Sequence, residues 1–72
     1  MLQNKVRVKR AEYNLTQTDL ADRVSVTRQT IAFIEKGEFA PSITLGLKLA
    51  RALRTPVAEL FWLEEEPDEK TI

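Results

Sequence analysis

Arg28, Gln29, Ala32, Phe33 and Lys36 fall on one face of a 3.6-residue helical period. That face offers a guanidinium, a carboxamide and an ammonium, with one aromatic ring among them. Such a set binds by hydrogen bonding and charge. A helix that buries its other face and presents Arg, Gln and Lys fits the major groove of DNA. Catalytic chemistry is poorly served. The chain has no His and no Cys, which removes imidazole chemistry, thiol chemistry, disulfides and zinc fingers together. The carboxylates form no convergent pair in a plausible pocket, so no enzyme activity is expected. No metal site, cofactor or small-molecule ligand is implied either.

The stretch Thr16–Gly37 must position these residues. It reads as two short helices and a tight turn, the first over about 17–24 and the second over about 28–36. Thr16-x-x-Asp19 is a capping-box pattern. Thr27 can cap the second helix, and Gly37 stands where a left-handed residue closes one. Leu20, Ala21 and Val24 line one helix, Ile31 and Ile34 line the other, and Val26 can plug the gap between them. Ala21 is small enough to let the helices cross closely.

The flanking residues add three more helices. Lys5 to Tyr13 is expected to form the first, with Val6, Arg10 and Tyr13 on one face and Asn14 in a left-handed closing position. A lone guanidinium on an inward-leaning face needs a partner. Glu35, next to the buried Ile34, is the candidate, so an Arg10–Glu35 ion pair is expected; the alternative is two surface charges that never meet. Phe39 is expected to fold back onto the body. Ser42 caps a fourth helix over about 43–53, whose apolar residues are too many for one stripe. Gly46 in it is either a weak spot or a point of close helix contact. Thr55 is expected to cap a fifth helix with Pro56 at its first position. Residues 64–72 are acidic, with the composition of a flexible tail.

Seventy-two residues make one small domain, assigned to 1–63 with the tail beyond it. The net charge of zero conceals an asymmetry. Residues 1–54 carry ten Lys/Arg against five Asp/Glu, and residues 55–72 carry one against six. A basic body suits a polyanion, while the acidic end either serves solubility alone or has a further role. No apolar run approaches the roughly 20 residues of a membrane span, and the N-terminus lacks a signal-peptide core. A cytoplasmic protein without a membrane partner is expected.

Leu15-Thr16-Gln17, Asp19-Leu20-Ala21, Val24, the run Val26 to Ile31, Ile34 to Gly37 and Pro41-Ser42 together resemble the phage-repressor/Cro-like (XRE) helix-turn-helix family. The resemblance covers about residues 4–62, and the string VTRQTIAFIEKGEFAPS is its most specific part. It implies an all-α, five-helix, lambda-repressor-like domain with the motif at 17–36. It also implies that Leu2–Asn4 and Phe61–Glu64 can pair as a small antiparallel sheet. By resemblance, Arg28, Gln29 and Phe33 occupy base-facing positions. Arg suits the two acceptors of guanine, Gln suits the acceptor–donor pair of adenine, and Phe33 either touches a thymine methyl or packs on its own helix. Gln17, Thr27, Lys36 and Ser42 become phosphate-contact candidates. One departure stands out: Ser25 occupies a turn position where the family usually has Gly, at a strain of order 1 kcal/mol if φ is positive.

The function expected from this is a sequence-specific transcriptional regulator, a repressor of a pseudo-palindromic operator acting as a homodimer on double-stranded DNA. Leu45, Leu49, Leu60, Phe61, Trp62 and Leu63 are the expected dimer interface. The alternative is an antitoxin or adaptor whose fourth and fifth helices grip another protein.

Overall fold

In a computed structural model the described residues are 1–64, so all but the first residue of the expected tail at 64–72 lies outside them. The chain runs β1 (Leu2–Asn4), α1 (Val6–Glu12), α2 (Gln17–Val24), α3 (Arg28–Glu35), α4 (Ile43–Ala52), α5 (Val57–Leu60) and β2 (Phe61–Leu63). Helices α1 to α4 match the sequence expectations to within one residue at each end, with Tyr13, expected inside α1, now its cap; α5 starts at Val57, one residue after the expected Pro56.

The helices stop in a common way. Asn14, Ser25, Gly37 and Arg54 all adopt positive φ, at 56, 61, 79 and 50°. Each follows a helix, and the next residue's N–H reaches back across the last turn: Leu15 to the Arg10 carbonyl, Val26 to Ala21, Glu38 to Phe33 and Thr55 to Ala50. This is the Schellman closure, which satisfies carbonyls that the helix leaves free. Gly37 takes the conformation without steric cost, and Asn14 takes it at little cost. Ser25 and Arg54 carry the strain. The Ser25 conformation is the one expected from the family's usual glycine, and Arg54 gave no sign in the sequence.

Three helix starts are capped by side chains. Thr16 Oγ1 accepts from Asp19 N–H at 2.9 Å, and Asp19 Oδ2 accepts from Thr16 N–H at 2.9 Å, completing the capping box. Thr27 Oγ1 accepts from Thr30 N–H at 3.2 Å and Ser42 Oγ from Leu45 N–H at 3.1 Å. Thr55 does not cap α5. Its hydroxyl turns back and donates to the Leu53 carbonyl at 2.9 Å, and Pro56 takes the cap position without a side-chain bond. With Thr55 buried, that carbonyl is its available acceptor.

Val6, Leu20, Ala21, Val24, Ile31, Ile34, Leu49, Ala50, Leu53 and Leu60 form one core, with Leu15, Val26, Leu45, Ala52 and Phe61 packed against it. Tyr13 does not share the inward face of Val6. It caps α1 and is nearly half exposed, as is Phe39, which lines a surface depression rather than folding into the body. The termini close the fold: Leu2 pairs with Leu63, Gln3 with Trp62 and Asn4 with Phe61, antiparallel. Glu64, assigned to the tail by composition, still donates its N–H to the Met1 carbonyl at 3.0 Å.

Candidate nucleic-acid interface

The second helix of the motif is held from behind. Ile31 and Ile34 are fully buried under α2 and α1, and this fixes which residues of α3 can face outward. Arg28, Gln29, Phe33 and Lys36 are all exposed, with Ala32 partly covered between them. The face expected from the periodicity is therefore present, with its four long side chains exposed. Thr27 and Ser42 are exposed caps at the starts of α3 and α4, and Gln17 is half-buried at the start of α2.

The Arg10–Glu35 pair forms as expected, and it is bidentate. Arg10 Nε donates to Glu35 Oε2 at 2.7 Å and Nη2 to Oε1 at 3.2 Å, while Nη1 donates to the Leu15 carbonyl at 2.9 Å. The Glu35 side chain is only 5 % exposed and that of Arg10 16 %. Two parallel N–H···O bonds fix the angle between α1 and α3 as well as their separation. The network continues outward: Gln17 Nε2 donates to Glu35 Oε1 at 3.1 Å, and Arg28 Nη1 donates to Gln17 Oε1 at 3.1 Å.

Two residues that the sequence did not single out join the site. Asn4 lies in β1, yet its Nδ2 donates to the Ile34 carbonyl at 3.0 Å, in the last turn of α3. Its Oδ1 accepts from Val6 N–H at 3.0 Å and so opens α1. One carboxamide thus ties the terminal sheet, α1 and α3 together. Its local signal was an Asn two residues before a helix, a turn-forming position; its bond across 30 residues has no sequence signature. Arg7 is exposed and shares a surface depression with Arg10, Gln17, Ala32, Glu35 and Lys36. It lies three residues before Arg10, so the same helical face could have revealed it. Arg7 and Lys36 leave a cationic rim, because the nearby carboxylate of Glu35 is already spent on Arg10; Arg28 reaches the same depression only through its bond to Gln17. The Asp19 carboxyl is held below its ordinary value, chiefly by the Thr16 N–H and then by the Thr16 hydroxyl.

The expected dimer surface needs correction. Leu49 and Leu60 are fully buried within this one chain, and Leu45 is partly buried against the same core. The apolar richness of α4 serves two faces, and only one of them is outward. The outward face carries Ile43, 83 % exposed, and Leu47, 52 % exposed. With Leu2, Pro41, Gly46, Val57 and Phe61 they line a shallow apolar groove of about 320 Å³. Trp62 is half-exposed, with Lys5 Nζ 5.8 Å from its ring centroid, and Leu63 is exposed.

A family model described as helix-turn-helix matches residues 6–60. This chain belongs to the XRE-type helix-turn-helix family. It is 46 % identical over 65 residues to the HTH-type transcriptional regulator YgzD of Bacillus subtilis strain 168, covering 90 % of this chain and 98 % of that one. It is 35 % identical over 60 residues to the cryptic phage CTXphi transcriptional repressor RstR of Vibrio cholerae, covering 83 % of this chain and 54 % of that one. The restriction-modification controller protein C.AhdI from Aeromonas hydrophila superimposes with a TM-score of 0.70 at 30 % identity, covering 74 % of this chain and 80 % of that chain. The matched span contains both helices of the motif, the ion pair between Arg10 and Glu35, and the exposed face of α3. XRE-type members of this kind are DNA-binding transcriptional regulators, and that coarse role is this chain's.

Proposed function

We propose that the chain is a sequence-specific repressor that binds a pseudo-palindromic operator as a homodimer in the cytoplasm. The observation that carries this is the outward face of α3: Arg28, Gln29, Phe33 and Lys36 exposed on a helix whose opposite face is locked into the core. Arg28 and Gln29 read base edges, the first suited to guanine and the second to adenine. Phe33 offers its ring to a thymine methyl. Gln17, Thr27, Lys36 and Ser42 contact phosphate and set the register, and Arg7 extends the cationic rim on the α1 side. Repression is by occupancy: a bound dimer blocks other proteins from the site. The similarity to a phage transcriptional repressor favours this sign of regulation.

Dimerisation uses the groove of Leu2, Ile43, Gly46, Leu47, Val57 and Phe61 instead of Leu49 and Leu60. Supporting this, Ile43 and Leu47 are large aliphatic side chains left in water on a helix that is otherwise used in the core. Gly46 stands on the floor of the same groove, and a Cβ there would meet nothing within 4 Å of its own chain. A glycine that its own fold does not require, on a helix where it costs about 1 kcal/mol relative to Ala, fits close approach by a second copy.

The test is binding by variants. Arg28→Ala and Gln29→Ala should each cost roughly 1–3 kcal/mol on the specific site and relax preference at one base pair. Wild-type affinity and preference in both would show that α3 is not the reading element. Lys36→Ala should weaken binding to all sequences alike and lower the salt dependence.

A further inference from the structure

The charge of the chain is divided along its length, and the fold brings the boundary to the DNA side. Residues 1–54 carry ten Lys/Arg against five Asp/Glu, and residues 55–72 carry one against six. Glu64, the last described residue, donates its N–H to the Met1 carbonyl at 3.0 Å. Glu65, Glu66, Asp68 and Glu69 follow in sequence, outside the described residues. The acidic run therefore starts beside Met1. Two depressions connect that point with the outward side of α3. Met1, Gln3 and Asn4 line the first together with Lys36 and Gly37. Lys36 also lines the second, with Arg7 and Gln17. The carboxylate common to both belongs to Glu35, which is engaged by Arg10. Lys36 and Arg7 are exposed and have no ion-pair partner among the described residues. Glu38 is exposed just past Gly37 and lines neither depression. The other lysine-lined depression is less available to an anion. There Lys9 is paired with Glu12 at 3.5 Å, Lys5 Nζ lies 5.8 Å from the Trp62 ring centroid, and Glu59 adds a carboxylate.

We propose that the acidic segment Glu65–Glu69 docks on the Lys36–Arg7 face of its own chain in the free protein and is displaced by DNA. This rests on the reading of that face as the DNA surface. Carboxylates and phosphates present the same kind of acceptor to an ammonium or a guanidinium. Lys36 thus meets the segment in the free state and a phosphate in the bound state, and the two occupants exclude each other. Reach is sufficient. A chain spans at most about 3.3–3.6 Å per residue, so Glu69 can stand up to roughly 17 Å from Glu64. Met1 and Lys36 border one depression, so they lie closer together than that. An exposed ion pair is weak on its own, but the short tether holds several carboxylates at high effective concentration. Displacing the segment costs the same on every DNA sequence. Docking therefore lowers affinity for specific and random duplexes by one common factor and leaves the order of base preference unchanged.

The test uses the full chain. It has no Cys, so Thr71→Cys creates a single attachment point for a nitroxide. The readout is paramagnetic broadening of backbone amides at low salt. A second labelled chain also carries Glu65→Gln, Glu66→Gln, Asp68→Asn and Glu69→Gln, with folding checked by circular dichroism. The expected result is broadening at Arg7, Ala32 and Lys36 in the charged chain, lost in the neutralised chain and lost near 1 M salt, where the screening length falls to about 3 Å. Equal broadening in the two chains would overturn the proposal, because it would report only the tether. Broadening centred on Lys5, Lys9 and Ala58 would overturn it by placing the segment in the other depression. Equal broadening of an unlabelled chain mixed with labelled chain would overturn it by showing contact between copies. A random-sequence duplex is then added, its binding followed by fluorescence anisotropy. Saturation should remove the broadening, and the neutralised chain should bind that duplex several-fold more tightly. Bound duplex with the broadening intact would overturn the displacement. If no duplex binds, the DNA reading fails, and the comparison of the two labelled chains still decides whether the segment docks.

Discussion

Breaking the Arg10–Glu35 pair is the sharpest stability test of the fold. Arg10→Met removes the guanidinium and keeps most of the aliphatic stem. It leaves the Glu35 carboxylate, 5 % exposed, with Gln17 as its remaining donor, and it leaves the Leu15 carbonyl without the Arg10 Nη1 bond. An exposed pair is worth about 0–1 kcal/mol, whereas losing one partner of a buried pair costs about 3–5 kcal/mol. The 16 % exposure of the Arg10 side chain lets some water in, which places the cost near the lower end, about 3 kcal/mol. In a domain of this size that shifts the melting temperature by roughly 12 °C or more. The double variant Arg10→Met/Glu35→Leu has no orphaned charge, so it should recover most of the loss, to within about 1 kcal/mol of the wild type. Urea denaturation followed by far-ultraviolet circular dichroism measures all four corners of the cycle. Single variants costing under about 1 kcal/mol with no coupling would refute a buried, structurally decisive pair.

Three further outcomes follow from the geometry. Ser25→Gly relieves the left-handed backbone at φ 61° and should stabilise the protein by about 0.5–1 kcal/mol, read as a higher melting temperature; a lower one would contradict the strain argument. Gly46→Ala should stabilise the monomer by about 1 kcal/mol yet raise the dimer dissociation constant measured by sedimentation equilibrium, and an unchanged constant would place the dimer contact elsewhere. The capping box makes Asp19 a source of pH dependence. Its folded pKa lies below the ordinary 3.8, so its contribution is present above that value and lost as pH falls through the folded pKa. Melting temperatures of the wild type and Asp19→Ala should therefore differ at neutral pH and converge in acid below pH 3.8; a constant gap would show that the ionised carboxylate is not what stabilises the box.

The parts of this fold that were legible in the sequence are those set by local chemistry. Thr16 and Asp19 declare their capping box within four residues, and Asn14 and Gly37 mark helix ends by backbone preference. The partner of Arg10 could be named because a guanidinium on an inward face must find a carboxylate, and Glu35 was the one beside a buried position. The outward face of α3 followed from period alone. What escaped detection depends on where distant segments arrive. Leu49 and Leu60 looked like surplus apolar surface until α5 folded against α4 and enclosed them. Asn4 bonds to the Ile34 carbonyl because the terminal strands bring it there, which no local pattern encodes. Thr55 had the composition of a cap, but the α4 closure drew its hydroxyl backward to Leu53. Arg54 accepts a left-handed conformation that its residue type disfavours, because the same closure demands it.

The central claim is that two copies of α3 read DNA through Arg28 and Gln29. Selection of bound duplexes from a random pool by the purified chain tests it most directly. The account predicts an enriched two-fold-symmetric sequence whose half-sites lie one helical turn apart, about 10 base pairs or 34 Å centre to centre, and whose preferred bases change in Arg28→Ala and Gln29→Ala. Enrichment of no sequence, or of a site indifferent to both substitutions, would contradict it.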